Sequence, residues 1–136
     1  MQSNSIVSLK LRNRWGETAI ITSSPSAQSH LRRLDALLRK IASGLRSKPK
    51  LECKRFFGGA AAYADGRIFM TLTTVGLALK LPDEARAALL RKGATPLRYF
   101  AKGHVKREYV VLPRAIANRR SALAPWIEQS ILYVTR

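Results

Sequence analysis

The chain has 136 residues, 46% of them hydrophobic, with 25 basic against 8 acidic side chains, a formal charge of +17 and a single cysteine. That length supports one domain with its own core, and no apolar run approaches the roughly 20 residues needed to span a bilayer, so a cytoplasmic protein with no membrane partner is expected. Lone Cys53 excludes an internal disulfide or a cysteine-built zinc cluster, while the charge turns the search for partners toward polyanions through a field that salt weakens over about 10 Å at 0.1 M.

Residues 1–25 are rich in Ser and Thr, show no sustained period and carry Trp15-Gly16 in the middle. They read as a flexible N-terminal arm, dispensable for folding. The basic, nearly acid-free character resembles that of an organelle transit peptide, without the apolar block of a secretory signal, but disorder or an upstream start codon is the preferred reading. Ile6, Val7, Leu9 and Leu11 could add an edge strand, as could Ala19, Ile20 and Ile21.

The domain proper is expected over residues 26–136. From Ser26 the pattern turns helical: Leu31, Leu34, Leu37, Leu38, Ile41 and Leu45 recur at spacings of three and four. Ser26 or Ser29 can cap this helix, Asp35 sits four residues before Arg39, and Gly44 with Pro49 marks the end. Residues 26–58 hold nine basic and two acidic side chains, +7 of the total. Arg32, Arg39 and Arg46 repeat every seven residues beside Lys40, a basic stripe that reads either as a solvated face or as a set of phosphate contacts.

Strands follow. Residues 53–63 read as a strand interrupted by Gly58-Gly59, where a bulge or a close backbone approach is expected. Asp65-Gly66 between apolar runs predicts a hairpin turn into residues 67–73, and alternation of Ile68, Met70 and Leu72 against Phe69 and Thr71 suggests a sheet with both faces partly covered. Thr74-Val75-Gly76 turns into a strand over 77–81, Pro82 opens a helix through about Lys92, and Gly93 caps it. Residues 97–101 and 107–112 read as a second hairpin around Lys102-Gly103-His104. Two helices close the chain, over 113–118 and 121–135, with Pro125 placed in a first turn where it is tolerated.

Chemistry-bearing groups are sparse. His30 and His104 are expected to be exposed polar residues rather than bases or ligands. Cys53 beside Lys54 and Arg55 could have a lowered thiol pKa, or serve as a small core hydrophobe. Gly58-Gly59 lacks the helix and the Lys-Ser/Thr pair of a phosphate loop. Arg67 reads as extending into solvent. No catalytic set, metal or cofactor is expected, and the aromatic residues Phe56, Phe57, Phe69, Tyr99, Phe100 and Tyr109 read chiefly as core, with base stacking the alternative.

Arg55-Phe56-Phe57-Gly58-Gly59, then Asp65-Gly66-Arg67-Ile68-Phe69, then Leu79-Lys80 before a helix containing Arg86 and ended by Gly93, resemble the TfoX N-terminal domain family. Tyr99-Phe100, Lys102-Gly103, Tyr109, Pro113 and Trp126 continue the order, so the likeness spans about residues 30–134. The resemblance implies a two-layer α+β sandwich, an antiparallel sheet of about five strands with helices packed on it. It also implies a non-enzymatic bacterial regulatory module linked to transcription or DNA, and brings no catalytic residues. The namesake regulators carry a further helical domain, which is not expected in this chain. Arg32, Arg39, Lys40, Arg46, Lys102, Lys106 and Arg107 are the candidate nucleic-acid contacts. Without a readable recognition helix, binding would be electrostatic and blind to sequence. A protein-interaction adaptor with no nucleic-acid contact is the alternative.

Overall fold

A computed structural model describes residues 25–46, 48–56, 58–98 and 105–136. The sequence-based expectations for residues 1–24 and for Lys102, His104, Tyr99 and Phe100 fall outside these residues. The elements run α1 (Pro25–Ala42), β1 (Leu51–Phe56), β2 (Gly59–Ala64), β3 (Arg67–Thr73), β4 (Gly76–Lys80), α2 (Asp83–Arg91), β5 (Thr95–Pro96), β6 (Tyr109–Val111), α3 (Arg114–Ala117) and α4 (Arg120–Thr135). The architecture is α+β, with an open antiparallel sheet of six strands in the order β1-β2-β3-β4-β6-β5. None of the described helices is long and apolar enough to cross a membrane.

The first four strands form a meander because each turn has the chemistry it needs. At Asp65-Gly66 both central residues have positive φ, 50° and 82°, the requirement of the two-residue turn whose twist matches that of the strands. Asp65 also accepts the Lys50 amide on its carboxylate at 2.9 Å, which ties the turn to the approach to β1. Gly58-Gly59 does not make a bulge. Phe56 pairs with Gly59, so the glycines lie at a tight hairpin turn and the run of residues 53–63 is two strands.

The bulge lies instead in β3. Ala62 pairs with Met70 while Tyr63 pairs with Ile68, leaving Phe69 as the extra residue. Such an insertion lets two successive side chains escape strict alternation, and Phe69 and Met70 are both fully buried in the core.

Against one face of the sheet, α1 sets Leu34, Leu38 and Ile41, α4 sets Leu123, Ile127, Ile131 and Val134, and α2 sets Ala85 and Leu89. Ser130 of α4 is wholly buried, and its hydroxyl proton is shared between the carbonyls of Phe69 at 3.0 Å and Lys80 at 2.6 Å. The polar group is thereby satisfied where β3 and β4 meet, and α4 is registered on the sheet.

Of the expected second hairpin, residues 99–104 lie outside the described residues; the strands seen are Thr95–Pro96 and Tyr109–Val111, and the later one, β6, is inserted between β4 and β5. Pro125 is not in a first turn either, because α4 begins at Arg120 and the proline is its sixth residue. The ring removes one intrahelical donor there.

His30 is buried, against the expectation of an exposed residue. Burial lowers its pKa below 6.5, the Gly58 backbone raises it and Arg33 lowers it again, and the ring nitrogen Nδ1 has no partner among the described residues. The unfolded chain takes up a proton at the ordinary value while the folded chain resists it. Stability is therefore complete above pH 6.5 and falls as the pH drops through the depressed folded value. Urea unfolding between pH 7.5 and 5 should show this loss, and His30→Gln should flatten the profile.

A Cβ on Gly59 would lie 2.2 Å from the Leu72 carbonyl oxygen and 2.9 Å from Thr73 Cα, both backbone atoms of the neighbouring strand. One on Gly58 would meet nothing within 4 Å. Gly59→Val should cost about 1–3 kcal/mol in urea unfolding, whereas Gly58→Ala should stay within about 0.5 kcal/mol of the parent.

Candidate functional site

The basic stripe read from the sequence is exposed, but it is not one surface. Arg32, Arg39 and Lys40 are solvent-facing on α1. At about 100° per residue Arg32 and Arg39 share a line while Lys40 stands about 80° round the helix. Arg39 is paired with Asp35 at 3.0 Å. The helix ends at Ala42, so Arg46 is not on it. Arg46 lies exposed in the loop beyond, where its backbone N–H donates to Glu128 Oε2 at 2.8 Å. Lys48 reaches back to the Ser43 carbonyl at 3.1 Å and closes the C-terminal end of α1.

What the fold brings together is the C-terminal end of α1 and the N-terminal end of α4. They bound a cleft of about 800 Å³ whose walls carry Lys40, Arg119 and Arg120, with Ile41, Leu45, Ala124 and Pro125 supplying apolar surface. No side chain caps α4 and no acidic residue occupies its first turn. The positive end of the helix dipole therefore adds to the three cations. Glu128 also lines the cleft, with one carboxylate oxygen engaged by Arg46 N–H. Sequence reasoning found Lys40 and missed Arg119 and Arg120, whose only sequence signal was an Arg-Arg pair before an apolar helix.

Lys106 and Arg107 are exposed on the approach to β6. Arg107 lines a separate cleft of about 390 Å³ with Asp83, Arg86 and Tyr109, so these two cations are not part of the α1–α4 cleft.

The residues singled out by resemblance have structural work. Arg86 donates from Nε to the Leu81 carbonyl at 2.9 Å, from Nη1 to the Arg107 carbonyl and from Nη2 to Asp83, joining the end of β4, the start of α2 and the approach to β6. Arg67 does not simply extend into solvent: Nη1 donates to the Val134 carbonyl at 3.3 Å, answering one of the open carbonyls at the end of α4. Gly93 has a φ of 105° where the chain leaves α2.

Among the described residues no three His, Cys, Asp or Glu side chains converge as a metal-ligand set. Cys53 is half-buried against the core and has no reactive character, since burial and then the Asp35 carboxylate push its thiol up to about 11. The reading of a lowered thiol pKa from neighbouring Lys54 and Arg55 is corrected by that burial. Alkylation by iodoacetamide at pH 8 should run on the order of a hundredfold slower than for a free cysteine, in line with the smaller thiolate fraction, and should recover the ordinary rate in urea.

The family model of the TfoX N-terminal domain matches residues 43–133, from the loop after α1 to the last turn of α4. No curated protein matches the chain.

Proposed function

Since the chain belongs to the TfoX N-terminal domain family, we propose that it is a non-enzymatic regulatory module whose α1–α4 cleft engages the phosphates of duplex DNA without reading sequence. The observation that carries this reading is the convergence of Lys40, Arg119 and Arg120 with the uncapped start of α4 around one open cleft. A net charge of +17 supports it by raising the encounter rate with any polyanion.

The cleft also has an apolar side, formed by Ile41, Leu45, Ala124 and Pro125. That favours a second reading in which an acidic segment of a protein partner docks there, its carboxylates on the same three cations.

Fluorescence anisotropy with random-sequence duplex at several salt concentrations separates the two. DNA binding predicts a log-log salt dependence with a slope near −0.9 per phosphate neutralised. Lys40→Gln, Arg119→Gln and Arg120→Gln together should leave the melt unchanged and reduce that slope by about 2–3 units, equally for all sequences. Unaltered affinity and slope in the triple variant would move the contact elsewhere, and no binding at low salt would leave the protein-partner reading.

A further inference from the structure

A cleft of about 320 Å³ opens between α1, α3 and the end of the β3–β4 hairpin, and none of its lining residues belongs to the α1–α4 cleft. Two short ridges form its walls. Arg33 and Leu37 lie one turn apart on α1, and Arg114 and Asn118 have the same spacing at the start of α3 and just past its end, so each helix turns one side to the gap. The floor is Leu72 of β3, Leu77 of β4 and Leu112 just after β6, all three buried. Sheet hydrogen bonds fix it in place: Leu72 pairs with Leu77, and the Leu112 N–H donates to the Leu77 carbonyl at 2.8 Å. Apolar surface thus lies beneath a rim on which both arginines are exposed.

The rim carries charge without a counter-charge. Among the described residues no Asp or Glu lines this cleft, whereas Glu128 lines the α1–α4 cleft and Asp83 the one beside Arg107. Arg39 and Arg86 are each paired with a carboxylate, but neither Arg33 nor Arg114 has a hydrogen bond or ion pair from its side chain among the described residues. A guanidinium fork matches two oxygens of a carboxylate or a phosphate, and the leucine floor matches an apolar body attached to such a head. We propose that this cleft binds a small organic anion, its carboxylate or phosphate held by Arg33 and Arg114 and its apolar body laid on Leu72, Leu77 and Leu112. The volume is at the lower end of the roughly 300–1,000 Å³ of small-molecule sites, which suits a ligand built on a single ring. Duplex DNA does not fit the same description, because its charged backbone brings no apolar group to a leucine floor.

Isothermal titration calorimetry on the full chain tests this with benzoate and phenyl phosphate, each set against its ringless counterpart, acetate or inorganic phosphate. One aryl anion at least should saturate a single site and bind about tenfold or more tighter than its counterpart, because the ring buries apolar surface on the leucines. The tighter of the two names the head group. Arg33→Gln with Arg114→Gln should weaken that binding about tenfold or more while the melt followed by circular dichroism stays that of the parent. Ala117→Leu, which narrows the cleft and keeps both arginines, should weaken it as well. Aryl anions that bind no more tightly than acetate and phosphate would show attraction by the +17 charge alone and overturn the proposal. Tight aryl binding left intact by the double arginine variant would also overturn it, as would the lack of any saturable binding.

Discussion

Before Tyr63, strand β2 carries no side chain larger than a methyl group, and every residue from Gly59 to Ala62 is buried. That narrowness is the constraint from which the rest of the architecture follows. On one face, Ala60, Ala62 and Ala64 leave room for Leu34, Leu38 and Ile41 of α1 to pack directly on the strand. At its first residue the neighbouring backbone comes so close that only a hydrogen fits as a side chain. Bulk removed from β2 is restored by its neighbour, where the β3 bulge turns both Phe69 and Met70 into the core and fills the space the alanines leave. Interiors packed to crystal-like density permit this exchange of volume between adjacent strands and little else.

Much of the fold was legible because its signals are local. The leucine spacing of α1, Asp-Gly at the β2–β3 turn, and the Pro82 to Gly93 frame of α2 each depend on a few consecutive residues, and each is found where its chemistry puts it. The misreadings have a common origin in partners distant along the chain. Gly58-Gly59 sits within one apolar run, so nothing in the residues themselves distinguishes a bulge from a turn. The answer comes from Ala60 pairing back to Arg55. The bulge at Phe69 is a mismatch between two strands and has no signature in either. His30 has the sequence context of an exposed first-turn residue, and its burial is imposed by the β1–β2 turn arriving beside it.

The same division runs through the candidate site. Lys40 was visible as part of a basic helix, but Arg119 and Arg120 come 79 and 80 residues later and meet it only because α4 starts where α1 ends. Heptad spacing grouped Arg46 with Arg32 and Arg39, although a helix that stops at Ala42 releases Arg46 into the loop. Charge composition thus gave the excess of cations and was silent on where they meet. Arg86 shows the converse. It lies on a half-exposed helix face and resembles any solvated arginine in the sequence, yet it anchors three separate segments by their polar groups.

Insertion of β6 between β4 and β5 also governs the order in which the domain can be assembled. Strands β1 to β4 pair with one another in chain order, so their meander closes short loops and can form while later residues are still being synthesised. Strand β5 cannot join the sheet on its own, because its one pairing partner among the described residues, β6, comes after it in the chain. Until Tyr109–Val111 has emerged, β4 presents an open edge and α2 hangs from it with its apolar face uncovered. The Tyr133 hydroxyl of α4, which follows β6 in the chain, donates to Glu108 at 2.8 Å. It holds the approach to β6 against α4, so the C-terminal helix acts as the latch on the strand that completes the sheet.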